Sequence, residues 1–310
     1  MKVAVLSGGV GGARFLRGVV DAVDPADVTA IVNVGDDLEV LGLHVSPDLD
    51  SVVYALAGVA DEERGWGRAD ESWNAMAVVE ALGGESWFRL GDRDLGLHLV
   101  RTEALRSGEP LSAVTARLAA ELGVEVTVLP ATDEPVRTWL DTPRGSFDFQ
   151  EWFVARSHRD PVDRVRFEGA TAARPAPGVL EALHGAELIL IAPSNPFVSI
   201  GPILAVERIR SALARRRVPC VAVSPLIGGQ AVRGPAADML ERLEGGTSAV
   251  QVAQCYPGLI DALVIDEADA ADARAVSDLG VRPIITLTLM RDASTRRALA
   301  EAALDAVALA

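Results

Sequence analysis

Residues 2–15 read KVAVLSGGVGGARF, and this stretch decides the fold. Val3, Ala4, Val5 and Leu6 form a short apolar run that passes directly into Gly8-Gly9-Val10-Gly11-Gly12, and an amphipathic pattern follows from Ala13. The expected structure is a strand, a glycine-rich turn and a helix beginning near Ala13. Four glycines there let the backbone approach a ligand closely, and the free N–H groups at the positive end of the helix dipole suit a phosphate. No Gly-Lys-Ser/Thr follows, so this is not a Walker loop, and GGxGG differs from the GxGxxG dinucleotide fingerprint. A tight turn without a ligand is the plain alternative.

Working outward, runs rich in Val, Ile and Leu recur at 28–34, 124–129, 187–192, 219–224, 259–265 and 282–287. Helical patterns lie between and after them at 13–23, 204–215, 236–243, 267–277 and 294–308. Alternation of this kind predicts an α/β, Rossmann-like, doubly wound and mostly parallel sheet whose strands are buried on both faces. The rhythm breaks in the middle. Residues 61–122 read as helical and irregular, with Trp66, Trp73 and Trp87 close together, and 136–140 and 146–153 read as a hairpin turned by Asp141 to Gly145. The prediction is one domain over 1–310, with a core of 1–60 and 175–310 and a helical and β-hairpin insertion over 61–174.

Lys and Arg number 29 against 44 Asp and Glu, a net charge of −15, which opposes a nucleic-acid surface. The opening apolar run is too short for a signal peptide, and no apolar stretch nears the roughly 18 residues of a membrane span. A cytoplasmic protein is expected, with no nucleic-acid or membrane partner. Cys220 and Cys255 are far apart, as are His44, His98, His158 and His184, so a zinc cage or redox pair is not expected.

Five further segments could carry chemistry. Asn33-Val34-Gly35-Asp36-Asp37 and Ser46-Pro47-Asp48-Leu49-Asp50 would lie at the carboxyl edge of the sheet beside the glycine turn. Their four carboxylates, Asp36, Asp37, Asp48 and Asp50, suit Mg²⁺, although Asp is also common in turns and caps. Arg89 and Arg93, with His98 and Arg101 beyond, suit a phosphate or planar ring; a salt-bridge network with Asp92 and Asp94 is the alternative. Ser194-Asn195 with Ser199, and Gly228-Gly229, follow two later strands and would face Gly8, Gly9, Gly11 and Gly12 across a nucleotide cradle, or form plain crossover loops.

The blocks SGGVGGARFL, NVGDD, SPDLDS, WFRLGDRDL, HLVR, FQEWFV, APSNPFVSIGPI and SPLIGG with AVRGP occur in this order over nearly the whole chain. In them the sequence resembles the CofD/FbiA family, the 2-phospho-L-lactate or phosphoenolpyruvate transferases of coenzyme F-420 biosynthesis. The resemblance implies transfer of a phospho-lactyl or phospho-enolpyruvyl group from a guanosine-diphosphate-activated three-carbon acid to the terminal ribityl hydroxyl of the deazaflavin FO, with release of GMP. It implies Mg²⁺ and a homodimer. It places Asp50 and Arg89 on FO-binding positions, with Arg93 beside them, and Asp50 as the catalytic carboxylate. The glycine turn, Asn33, Ser194, Asn195, Gly228 and Gly229 fall on the nucleotide side. Two departures are Leu97 where many relatives have Thr before the histidine, and Val10 and Gly12 where archaeal members often read GGTGT. The second leans toward the actinobacterial type.

Two rival readings share the glycine-turn core. One is a nucleotide-sugar-binding regulator of the gluconeogenesis-factor type, against which the GDRD segment and the Phe149-Gln150-Glu151-Trp152 block speak. The other is a nicotinamide-dependent oxidoreductase, against which the glycine spacing speaks.

Overall fold

The computed structural model describes residues 1–306. Its strands, in chain order, are β1 (Val3–Ser7), β2 (Val28–Val32), β3 (Leu38–Val40), β4 (Leu43–Val45), β5 (Thr127–Pro130), β6 (Arg137–Thr142) and β7 (Gly145–Asp148). They continue with β8 (Arg164–Glu168), β9 (Leu188–Ile191), β10 (Cys220–Val223), β11 (Leu226–Ile227), β12 (Gln230–Ala231), β13 (Ala262–Asp266) and β14 (Arg282–Thr286). Seven of them form a sheet in the order β14-β13-β10-β9-β1-β2-β5, with every pairing parallel. All seven strand runs identified in the sequence are in it.

The reason the runs are continuously apolar is visible in where alternate side chains go. Ala4 and Leu6 of β1 join one core with Ile31, Ile189 and Ile191, while Val3 and Val5 join the other with Ala30, Val32, Leu188 and Leu190. Both faces are covered by helices, so neither parity of the strand can be polar. The first five helices are α1 (Gly9–Ala22), α2 (Pro47–Leu56), α3 (Asn74–Ala81), α4 (Asp92–Arg106) and α5 (Leu111–Glu121). The final one, Ala293–Leu304, packs on α1; of the predicted 294–308, residues 307 and 308 lie outside the described ones. None of the described helices is long and apolar enough to cross a membrane.

The chain order makes β1 a topological switch point. From β1 it runs outward to β2 and β5, then returns to the opposite side of β1 as β9. The loops after β1 and β9 therefore splay apart and open a crevice at the carboxyl edge, where ligands of such sheets bind.

Several elements differ from the sequence reading. The glycine turn is shorter than predicted because α1 starts at Gly9, so Gly11 and Gly12 are helical. The stretch 61–174 is interrupted, since β5 sits in the main sheet; the helices α3 to α5 precede it and a three-stranded antiparallel sheet, β7-β6-β8, follows it. The second hairpin strand stops at Asp148 rather than 153, because the Asp148 carboxylate accepts from the Glu151 amide at 2.9 Å and starts a wide helical turn, Glu151–Ala155. A small hairpin, β3–β4, went unpredicted; Leu41 and Gly42 turn it with φ of 51° and 74°. Cys220 and Cys255 are unpaired, and burial pushes both thiols up to about 12.

The closest helix approach is testable. A Cβ on buried Gly18 of α1 would lie 2.4 Å from the Arg296 carbonyl oxygen on the final helix. Gly18→Ala must push two backbones apart, and thermal or urea denaturation is expected to show a loss of about 1–3 kcal/mol.

Candidate functional site at the switch point

The crevice is built on one close approach. Gly8 precedes α1 in an ordinary extended conformation, φ −159°, so a side chain is excluded there by space alone. Its Cβ would stand 2.7 Å from Asp48 Oδ2, 2.9 Å from Ser199 Cβ and 3.1 Å from Asn33 Cβ. Gly9 is needed for a different reason: its φ of 68° lies in the left-handed region. The loops after β1, β2 and β9 and the start of α2 thus meet at Gly8, as the sequence reading required. Ser194 closes the floor, donating from Oγ to the Gly8 carbonyl at 2.7 Å and accepting from the Gly8 amide at 3.3 Å. A side chain on Gly12 would collide with Ser7 Oγ and Ser194 Oγ. Asn195 has a structural task, accepting from the Phe197 and Val198 amides to start the turn that carries Ser199.

Asp48 is the centre of the cluster. It accepts from Asn33 Nδ2 at 2.8 Å and from the Gly9 amide at the N-terminus of α1. Burial pushes its carboxyl up to about 6, the Asn33 and Gly9 bonds oppose that shift, and the nearby Asp37 and Asp50 charges add to it. Asp36 is held well above the usual carboxylate range, first by burial and then by the Asp48 charge. Asp37 is raised by burial, against the pull of His44 Nε2 at 3.1 Å and of Ser46 Oγ, which donates at 2.8 Å. One carboxylate oxygen of Asp36 and one of Asp37 are buried and bond to nothing in the described residues. Unsatisfied acceptors among crowded carboxylates fit a divalent cation in donor type and charge. No three His, Cys, Asp or Glu side chains are placed to hold a metal ion by themselves among the described residues. Mg²⁺ needs no such set when phosphate oxygens and water complete its shell.

Asp50 is buried but faces elsewhere. Both of its oxygens accept from Arg101 of α4, one at 3.0 Å and the other closer still, and His98 Nδ1 lies 3.8 Å away. That pairing leaves neither Asp50 oxygen unengaged. Behind it the Tyr54 hydroxyl donates to Asp94 at 2.5 Å, and Asp94 stands 3.5 Å from His98 Nε2. The sequence singles out Arg101 with His98 as a cation suited to phosphate or a planar ring, but not its pairing with Asp50; Asp94, His98 and Arg101 share one helix face at i, i+4 and i+7.

Other predicted residues do not converge here. Arg89 is exposed and stacks over the Trp73 ring at 5.0 Å, with Trp73 edge-on to Trp66. Arg93 is exposed on the first turn of α4, its amide donating to Glu71. The Gly228 and Gly229 amides donate to the Asp269 carboxylate at 3.0 and 2.9 Å, so they are not free donors for a nucleotide.

A doubly wound parallel sheet with a crevice of buried carboxylates at its switch point defines a Rossmann-type α/β protein. The family described as 2-phospho-L-lactate transferase CofD matches residues 3–281, and the chain belongs to it. Phosphoenolpyruvate transferases of Streptomyces griseus and Streptomyces coelicolor are similar to it at 43% and 45% identity. These alignments cover 98% of this chain in both cases, and 98% and 97% of the relatives. The enzyme of that name from Mycolicibacterium smegmatis is 39% identical, with 98% of each chain covered. Among solved structures, protein BH3568 of Bacillus halodurans superposes with a TM-score of 0.66 at 20% identity, covering 98% of this chain and 99% of that one, a likeness of fold.

Two substitutions probe this electrostatics. A carboxyl whose folded pKa is raised destabilises the fold as pH climbs from its unfolded value near 3.9 to its folded value of about 6. Asp48→Asn is therefore expected to stabilise the ligand-free protein at pH 7.5, by up to about 3 kcal/mol, and the advantage should vanish below pH 4. Melting curves of both proteins across pH check this; an advantage independent of pH would contradict it. Arg101→Met, in contrast, strands a buried carboxylate and is expected to cost about 3–5 kcal/mol in denaturant unfolding, most of which Asp50→Asn in the same chain restores.

Proposed function

We propose that the chain transfers a phospho-enolpyruvyl group from a guanosine-diphosphate-activated acid to the ribityl hydroxyl of FO, releasing GMP and forming dehydro coenzyme F-420-0. The observation that carries this reading is the meeting, at the Gly8 crossing, of the start of α1 with Asp48 and Asn33, which Asp36 neighbours, while Asp36 and Asp37 each keep an oxygen without a hydrogen bond among the described residues. Such a site accepts a diphosphate and its counter-ion together. The enolpyruvyl donor is favoured over its lactyl counterpart by the phosphoenolpyruvate transferases at 39–45% identity over nearly the full chain. A cytoplasmic homodimer belongs to the same reading.

In the transfer, the FO hydroxyl oxygen attacks the phosphorus that carries the acid, the bond to the bridging oxygen breaks, and GMP departs with that oxygen. The attacking hydroxyl gives up its proton to water as the new phosphorus–oxygen bond forms. GMP leaves without protonation, so the work of the protein is positioning and charge neutralisation. The first turn of α1 beyond the Gly9 amide, which Asp48 holds, stabilises part of the negative charge. Asp36 and Asp37 would hold Mg²⁺, which supplies neutralisation of the diphosphate. Asp50, fixed by Arg101, orients FO, and the Arg89–Trp73 stack offers a planar cationic surface to its ring system.

The test is turnover. Purified protein with FO, Mg²⁺ and both activated acids in competition should release GMP, and mass spectrometry should find mainly the product lighter by two hydrogens. Chelation should stop release, and Asp50→Asn should lower turnover by about 100-fold or more. No GMP with either donor rejects the reading.

A further inference from the structure

A separate cavity of about 210 Å³ lies between α1 and α2, roofed by the loop that follows α2. One face of α1 supplies Arg14 and Arg17, α2 supplies Ser51 and Tyr54, the loop supplies Trp66, and the final helix supplies Arg296. Its size is below the roughly 300–1,000 Å³ of pockets for drug-sized ligands, so a nucleotide or a deazaflavin is too large for it. A carboxylate or a phosphate group is not.

The charges around it are unevenly satisfied. Asp61 is held by Arg64, and Glu62 accepts from Arg296 Nη1 at 2.8 Å. Arg17 donates to the Leu56 carbonyl at 2.9 Å and lies 3.5 Å from Asp21. Arg14 has no hydrogen bond or ion pair with any described residue, and its Nε is buried. Arg296 is only 8% exposed, and its Nε is also buried without an acceptor. Arg233 leans over Gly65 at the roof. Burial draws the Arg14 guanidinium down from its usual range, Glu62 opposes this, and the neighbouring Arg296 and Arg233 charges add to it. Arg14 thus lines the cavity as a guanidinium without a partner among the described residues, beside the Arg296 and Arg233 charges, and its charge is free to pair with an anion.

We infer that this cavity is a subsite for a small carboxylate or phosphate group, with Arg14 as the residue that grips it. Val10, which lines the cavity, belongs to the glycine turn and stands one helical turn before Arg14, about 6 Å along the axis. An acid esterified to a phosphate at the start of α1 can reach that far. On this inference, which rests on the proposed transfer reaction for its natural ligand, Arg14 reads the carboxylate of the three-carbon acid and sets donor specificity. A free inorganic anion is the other source of the same chemistry.

Calorimetric titration of the full chain with phosphoenolpyruvate and with inorganic phosphate, neither of which requires turnover, tests the subsite. The wild type should bind phosphoenolpyruvate saturably, Arg14→Gln should bind it about tenfold or more weakly, and Arg14→Lys should recover part of the loss. Loss of phosphoenolpyruvate alone identifies the acid's carboxylate as the occupant, and loss of both probes identifies a free-anion site. In the transfer assay Arg14→Gln should raise KM for the donor and leave KM for FO unchanged. Absence of binding to the wild type, or unchanged binding in a folded Arg14→Gln, overturns the inference. A protein that binds the anions yet releases no GMP would instead reject the transfer reading and leave the subsite standing.

Discussion

The contact on which the site depends is the Asp48 carboxylate set against the Gly9 amide and Asn33 Nδ2, with Gly8 providing the only space through which they can meet. It joins three pieces of chain that are distant in sequence: the β1–α1 turn, the end of β2 and the start of α2. A methyl group at position 8 would push all of them apart. The Asp48 charge also occupies the positive end of α1, the place a phosphate would take. The crevice is thus pre-shaped for an anion by one of the protein's own carboxylates.

The arrangement is costly to the fold. Asp36 is raised by the Asp48 and Asp37 charges and Asp48 by Asp37 and Asp50, and Asp36 and Asp37 each keep an oxygen that bonds to nothing among the described residues. A core selected for stability alone would not retain this, and such local conflicts are characteristic of functional sites. Asp50, two residues along the same helix, is the counter-example, because Arg101 satisfies it fully. One short segment therefore carries a carboxylate under electrostatic tension and another held still. The two are suited to different work: the first to gathering cationic charge, the second to presenting a fixed acceptor.

The sheet was legible because burial on both faces removes polar residues from both parities of each strand, a signal contained within a few residues. The start of α1 was not. Glycines have poor helix propensity, and Gly9 to Gly12 become helical only because Gly12 fits against Ser7 and Ser194, which is a tertiary fact. The grouping of Gly8, Asn33, Asp48 and Ser194 could be foreseen, since parallel strands deliver their loops to one edge. The occupation of the Gly228 and Gly229 amides by Asp269, 41 and 40 residues on, could not. Nor could the closure of Asp50 by Arg101, 51 residues away, because side-chain partners across a helical layer leave no periodic trace.

The net charge of −15 sharpens rather than contradicts an anionic substrate. Screening over about 8–10 Å at physiological salt confines a surface charge to its neighbourhood, so bulk acidity sets which macromolecules are repelled and not what a buried crevice binds. Within the crevice the sign is decided locally, by amide donors at the start of α1 and by carboxylates that require a cation. One helical turn further along, Arg14, Arg17 and Arg296 line a partly open cavity in which Asp61 and Glu62 are held by arginines. An acidic surface with an inward-facing cationic pocket favours small anions that can enter over polyanions that cannot, and this selection follows from where the charges lie, not from their sum.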